Sequence, residues 1–132
     1  MIVVLDSNAA IEIVLKREKE NIFRELILNS EKTITSELFR IEIANVIRKY
    51  CQEKFIKESD CGKIFSLAQG LIDEFVPISE NCLEAFNESI RLHFSAYDML
   101  YLTLARRTGA VLATLDNALI TIAKRERIKT VL

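Results

Sequence analysis

Four acids set the chemistry open to this chain: Asp6, Glu42, Asp98 and Asp116. Asp6 closes the apolar run Ile2-Val3-Val4-Leu5, and Asp116 follows Ala110-Val111-Leu112-Ala113-Thr114-Leu115. Both stand where a buried strand would end. Glu42 and Asp98 lie inside or at the mouth of helical patterns. In a parallel α/β sheet, ligands bind outside the carboxyl ends of the strands. Acids that meet there form a pocket of negative charge, and like charges at short range cannot all stay ionised unless a cation joins them. Oxygen-only ligands favour Mg²⁺ or Mn²⁺. Such a site suits metal-assisted hydrolysis of phosphodiesters.

Each acid also has a purely structural reading. Asp6, in V-V-L-D-S-N, could be a turn or helix-cap aspartate, although Ser7 and Asn8 can cap without it. Glu42, between Ile41 and Ile43, could be a solvated helix glutamate. Leu38 and Asn45 share its face, which puts it at the margin of the apolar stripe with Asn45 available to orient it. Ser95-Ala96-Tyr97-Asp98 has capping-box spacing, which alone would account for Asp98. Asp116, in T-L-D-N-A, also reads as a cap. Two acids at strand ends and two on helices able to face them carry more weight together than any one of them.

Other reactive residues offer less. His93 is the only histidine and has no second base or ligand close in sequence, so it reads as a surface or packing residue. Ser7, Ser36 and Ser95 show no histidine pairing pattern for nucleophilic catalysis. The three glycines form no phosphate-cradling loop. Cys51, Cys61 and Cys82 are odd in number and lack C-x-x-C spacing, which favours buried or half-buried thiols over a disulfide framework or a zinc site. Lys124-Arg125-Glu126-Arg127 reads as a solvated helix end, with Arg106, Arg107 and Arg125 as candidates for phosphate contact. Ile22, Phe23 and Leu26 form an apolar stripe that reads as core, with a partner surface as the second reading.

The elements that must position the acids follow from periodicity and caps. Residues 2–6 read as a buried strand, followed by a helix capped by Ser7 or Asn8 and a second helix over 21–28. A short strand over 32–35 precedes a helix over 37–53 capped by Ser36. A helix over 57–72 leads to a strand over 75–78, where Pro77 marks an edge or a strand end. Ser79 opens a helix to 92, and Ser95 another to 107, closed by Gly109. A strand over 110–115, a helix over 117–127 and a last strand over 129–132 complete the chain. Helices between successive strands imply parallel pairing and an α/β fold.

Composition agrees. A chain of 132 residues suits one domain, and half hydrophobic with 28% charged residues suits a soluble globular fold. Three glycines and one proline are too few for the many turns of an all-β protein. The net charge of −1 does not advertise a nucleic-acid binder, so local basic patches and a metal would have to attract one. No apolar run reaches membrane-spanning length, and Met1 to Leu5 is too short for a signal peptide, so the cytoplasm is the expected location.

At these residues the chain resembles the PIN-domain family, most closely the VapC-type toxins of prokaryotic toxin–antitoxin pairs, and it does so end to end. V-L-D-S-N is similar to the first acidic motif, and E-L-F-R-I-E-I-A-N-V-I-R-K to the helix that carries the second acid at Glu42. S-A-Y-D-M-L-Y-L-T-L-A, the most specific segment, resembles the third motif, and A-T-L-D-N-A-L the fourth. The resemblance implies a PIN-like three-layer α/β/α sandwich with a short parallel sheet, spanning 1–132 as one domain. It implies catalytic and metal-holding roles for Asp6, Glu42, Asp98 and Asp116, a hydroxyl near the metal at Ser7, and supporting places for Asn45 and Tyr97. The implied activity is Mg²⁺- or Mn²⁺-dependent cleavage of RNA, leaving 5′-phosphate and 3′-hydroxyl ends, with a structured RNA loop as the expected target. The implied partners are a small antitoxin and a second copy of the chain. One departure stands out: a basic residue often follows the fourth acid, whereas here Asn117-Ala118 follow it.

Three rivals are weighed against this reading. A haloacid-dehalogenase-like phosphatase needs a second acid two residues after the first, where this chain has Asn8. A catalytically silent PIN-like module would bind RNA or protein without turnover. A free-standing RNA-processing nuclease would share the chemistry but lack an antitoxin.

Overall fold

A computed structural model describes residues 1–132. The strand β1 (Ile2–Leu5) shows why the fold has three layers. Successive side chains of a strand point to opposite faces. Val3 and Leu5 pack on one side with Ala9, Ile13, Phe23, Phe39 and Ile43, while Val4 packs on the other with Met99, Leu102 and Leu119. With both faces covered, the strand must be apolar throughout, and Val3, Val4 and Leu5 are fully buried.

Three more strands complete the sheet: β2 (Lys32–Ser36), β3 (Glu74–Val76) and β4 (Val111–Ala113). All pairings are parallel and the order is β3-β2-β1-β4. On the face of Val3 lie α1 (Ser7–Val14), α2 (Glu20–Leu28), α3 (Leu38–Gln52) and α4 (Glu58–Gln69). On the face of Val4 lie α5 (Ile78–Leu92), α6 (Ala96–Thr108) and α7 (Asn117–Arg125). The α/β/α sandwich with a short parallel sheet is therefore as expected. Met99 to Ala105 are buried without a break, because α6 is wedged between the sheet and its helical neighbours.

Several boundaries move for identifiable reasons. The cap of α1 is Asp6 itself, not Ser7 or Asn8. Helix α3 starts at Leu38 with Glu37, not Ser36, at its N-cap, while Ser36 Oγ accepts from the Leu38 N–H at 3.2 Å. Strand β3 ends at Val76 because Pro77, without an N–H, takes the N-cap position of α5, two residues before Ser79. Strand β4 stops at Ala113 because the next amides turn to side chains, Leu115 N–H to Asn8 Oδ1 at 3.0 Å and Asp116 N–H to Thr114 Oγ1 at 3.1 Å. The strand expected over 129–132 is reduced to one bridge, Thr130 beside Leu112. His93 has a specific structural task, ending α5 in the left-handed region at φ 55°. Gly109 ends α6 the same way at φ 65°, as its sequence position implied.

Candidate active site

The strand order decides where a ligand fits. The chain steps outward from β1 to β2 to β3, then returns past β1 to lay down β4. The direction of progression reverses between β1 and β4, and the crevice at the carboxyl ends of such a pair is the usual ligand site of an open α/β sheet. Asp6 follows β1 and Asp116 follows β4, one on each side of that crevice. The Asp6 N–H is bonded to the Ala113 carbonyl at 3.0 Å, which ties the two strand ends together.

Asp6 is buried and doubly held. Its Oδ1 accepts from the Ser7 N–H at 2.7 Å, and its Oδ2 accepts from Thr114 Oγ1 at 2.7 Å. One carboxylate therefore both caps α1 and is tied to Thr114 beyond the end of β4. Glu42, in the second turn of α3, is half-buried and accepts short hydrogen bonding from the Tyr101 hydroxyl, with Ser7 Oγ at 3.4 Å. Asn45, expected to orient Glu42, instead accepts from Arg48. Asp98 sits in the first turn of α6, where Ser95 Oγ accepts from the Tyr97 N–H at 3.2 Å. The capping box does not form: Ser95 Oγ takes the Tyr97 N–H in place of that of Asp98, and the Asp98 carboxylate accepts no hydrogen bond, so capping does not account for it. Asp116 caps α7, its Oδ1 accepting from the Leu119 N–H at 3.1 Å.

The electrostatics link the four. Burial, reinforced by the charges of Glu42 and Asp98, pushes the Asp6 carboxyl up to about 7 against the pull of Thr114 and Ser7. Burial, then the charges of Asp116 and Glu42, pushes Asp98 up to about 6. Burial also raises Glu42, partly offset by the Tyr101 and Ser7 hydroxyls. The Tyr101 phenol is held far above its usual range by its own burial and by Asp6 and Glu42, so it stays protonated and donates. None of the molecule's ion pairs involves any of the four acids.

A divalent cation fits this donor set. The ligands are all oxygen, they repel one another, and no side-chain cation neutralises them. No three of them close tightly enough to enclose an ion unaided.

Two supporting residues escaped sequence reasoning. Tyr101 lies one turn after Asp98 on the same helix, and Thr114 lies two residues before Asp116, so both were within reach of spacing arguments. Their partners, however, are 59 residues and 108 residues away along the chain. The surface expected to touch phosphates is instead engaged in part: Arg106 donates to Glu84 at 2.6 Å and Glu88 at 3.0 Å, and Arg107 to the Glu80 carbonyl at 2.7 Å. The thiols of Cys51 and Cys61 are half-buried and that of Cys82 is exposed, none in a disulfide. Phe23 is core, while Ile22 is exposed and Leu26 half-buried.

Comparison with known proteins agrees with the fold. The PAE2754 protein from Pyrobaculum aerophilum has a similar structure, with a TM-score of 0.73 and 18% identity over 92% of this chain and 86% of that one. The structure of VapBC2 from Rickettsia felis, bound to a DNA fragment from the promoter, is also similar, with a TM-score of 0.67 and 17% identity over 98% of this chain and 97% of that one. No curated protein matches the chain. The family model described as PIN domain matches residues 3–125, and the chain belongs to the PIN domain family.

Proposed function

We propose that this chain is a metal-dependent endoribonuclease, with residues 1–132 as one PIN domain and Asp6, Glu42, Asp98 and Asp116 as its metal-holding and catalytic residues. The observation that carries the reading is the electrostatic one. Four carboxylates crowd the switch point of the sheet, two with protonation pushed up to about 7 and about 6, and no protein cation offsets them. Membership of a family whose members are generally nucleases supports the same chemistry.

A bound Mg²⁺ or Mn²⁺ would supply an activated water and positive charge against the phosphate oxygens. The protein's part is orientation. Thr114 and the Ser7 N–H fix the Asp6 carboxylate, and Tyr101 and Ser7 fix Glu42. Asp116 commits one oxygen to the α7 amide and leaves the other for the site. Asp98, with no hydrogen bond, is free to approach a cation.

The toxin of a toxin–antitoxin pair is the setting we favour, supported by the structural likeness to a VapBC complex. A small antitoxin and a second copy of this chain are then the partners. The exposed stripe Leu83, Phe86 and Ile90 on α5 is an apolar face available for one of them. No helix is long and apolar enough to cross a membrane.

The test is cleavage of total cellular RNA by purified protein with Mn²⁺ or EDTA, beside Asp6→Asn and Asp98→Asn. Discrete metal-dependent fragments with 5′-phosphate ends, absent from both folded variants, are expected. Metal binding by calorimetry without any cleavage would point to the silent binding module instead.

A further inference from the structure

We infer that Arg17 binds a phosphate of the RNA strand adjacent to the one held at the acids; this rests on the nuclease reading above and assigns the substrate a second contact. The argument starts from how α1 ends. Leu15 caps the helix and Lys16 turns left-handed at φ 54°. The Lys16 N–H donates to the Ile13 carbonyl at 3.2 Å and the Arg17 N–H to the Glu12 carbonyl at 2.9 Å. This paired bonding is a Schellman motif made without glycine, and it fixes the backbone from which Arg17 projects.

The side chain is held as firmly. Nη1 of Arg17 donates to the Tyr50 hydroxyl at 2.9 Å, and Cζ lies 4.8 Å from the centre of the Tyr50 ring. A guanidinium is attracted to an aromatic face and keeps its full charge there. Five other arginines, Arg24, Arg40, Arg91, Arg106 and Arg107, are paired with glutamates. Arg48 is taken up by Asn45 and Gln52 on its own helix. Arg125 lies at the opposite end of α7 from Asp116, and Arg127 follows it beyond that end.

Arg17 also shares a cavity wall with residues next to Asp6 and Asp116 in the chain, although none of the four acids lines that cavity. It lines a cavity of about 170 Å³ together with Ser7, Asn8, Glu12, Tyr50 and Leu115. Ser7 is the residue whose hydroxyl reaches both Asp6 and Glu42, and Asn8 holds the turn before Asp116. Glu12, buried on the same wall, is engaged by the Lys19 N–H at 2.8 Å and makes no ion pair with Arg17. A strand whose phosphate sits among four acids needs fixed positive charge close by, because the chain as a whole, at −1, supplies none. Arg17 is a preorganised cation on the cavity wall it shares with Ser7 and Asn8, and its planar fork suits phosphate oxygens.

The experiment measures binding, not turnover. Asp98→Asn protein in EDTA is titrated with a fluorescent single-stranded RNA of random sequence at several salt concentrations. Adding Arg17→Gln should weaken binding roughly tenfold, the scale of one hydrogen-bonded charge contact. It should also lower the slope of log K against log salt by about 0.7, one phosphate contact on a single strand. Arg17→Lys should restore the slope, and the melting temperature of Arg17→Gln should fall by no more than a few degrees, the scale of losing one exposed cation–π contact. An unchanged affinity and slope in Arg17→Gln, a lowered melting temperature with the slope intact, or no binding by the parent protein would each overturn the assignment. RNA binding with the Arg17-dependent slope, in a protein that never cleaves with Mn²⁺, would remove the nuclease reading and leave this phosphate contact standing.

Discussion

Tyr101 shows how one hydroxyl conditions the chemistry of another residue. It is buried on α6, and its proton is directed at Glu42 on α3. The raised pKa of the phenol keeps that proton in place at any physiological pH. Without it, Glu42 would keep only the long contact from Ser7 at 3.4 Å. Tyr101→Phe preserves the packing volume and removes only the donor. It should lower Mn²⁺ affinity or cleavage by ten- to hundredfold, as loss of an orienting partner usually does. It should cost about 1 kcal/mol in stability. Calorimetric Mn²⁺ titration and urea unfolding read the two effects, and metal affinity equal to wild type would deny Tyr101 this role.

The recurring device among the elements is the strand-to-helix turn capped by an acid. Asp6 joins β1 to α1 and Asp116 joins β4 to α7, each spending one carboxylate oxygen on a helix amide. The two turns are laced together by Thr114 and Asn8, through Thr114 Oγ1 to Asp6 and Leu115 N–H to Asn8. Capping and ion binding make different demands on Asp116. Asparagine caps about as well as aspartate, whereas alanine costs roughly 1 kcal/mol. Asp116→Asn should therefore retain the metal-free melting temperature but give a smaller rise with Mg²⁺. Asp116→Ala should lose on both counts. Equal Mg²⁺-induced rises in Asp116→Asn and wild type, read by thermal unfolding, would reduce Asp116 to a cap.

At the scale of the whole molecule, the acid cluster is a standing cost to folding. The Asp6 carboxyl ionises near 3.8 when unfolded and at about 7 when folded. Between those values the folded state holds more protons, so stability falls as pH rises through the window, and the loss is complete above about 7. Asp98, displaced to about 6, acts in the same direction. A cation that binds the ionised carboxylates offsets the loss. The metal-free melting temperature should thus fall from about pH 5 to about pH 7, less steeply in Asp6→Asn. The rise produced by millimolar Mg²⁺ should grow over the same range. A metal-induced rise that is independent of pH would separate metal binding from these carboxylates.

The sequence by itself carried the elements and the four acids, because both depend on local order. The unbroken apolar run Ile2-Val3-Val4-Leu5, the Gly109 cap and acids beside predicted strand ends are all properties of a few consecutive residues. It also carried the family, since the V-L-D-S-N and S-A-Y-D-M-L-Y segments keep both type and spacing. Where local order was ambiguous, it misled. Asn45 shares a helix face with Glu42 but bonds to Arg48, and the last strand shrank to one bridge. Only the tertiary structure decided the strand order β3-β2-β1-β4, and with it that Asp6 and Asp116 flank one crevice. It alone brought Tyr101 to Glu42, Thr114 to Asp6 and Arg17 to Tyr50. The physical reason is that burial and charge–charge repulsion depend on distances through space. Those distances are set by how helices pack on a sheet, and residues far apart along the chain become neighbours only after that packing is complete.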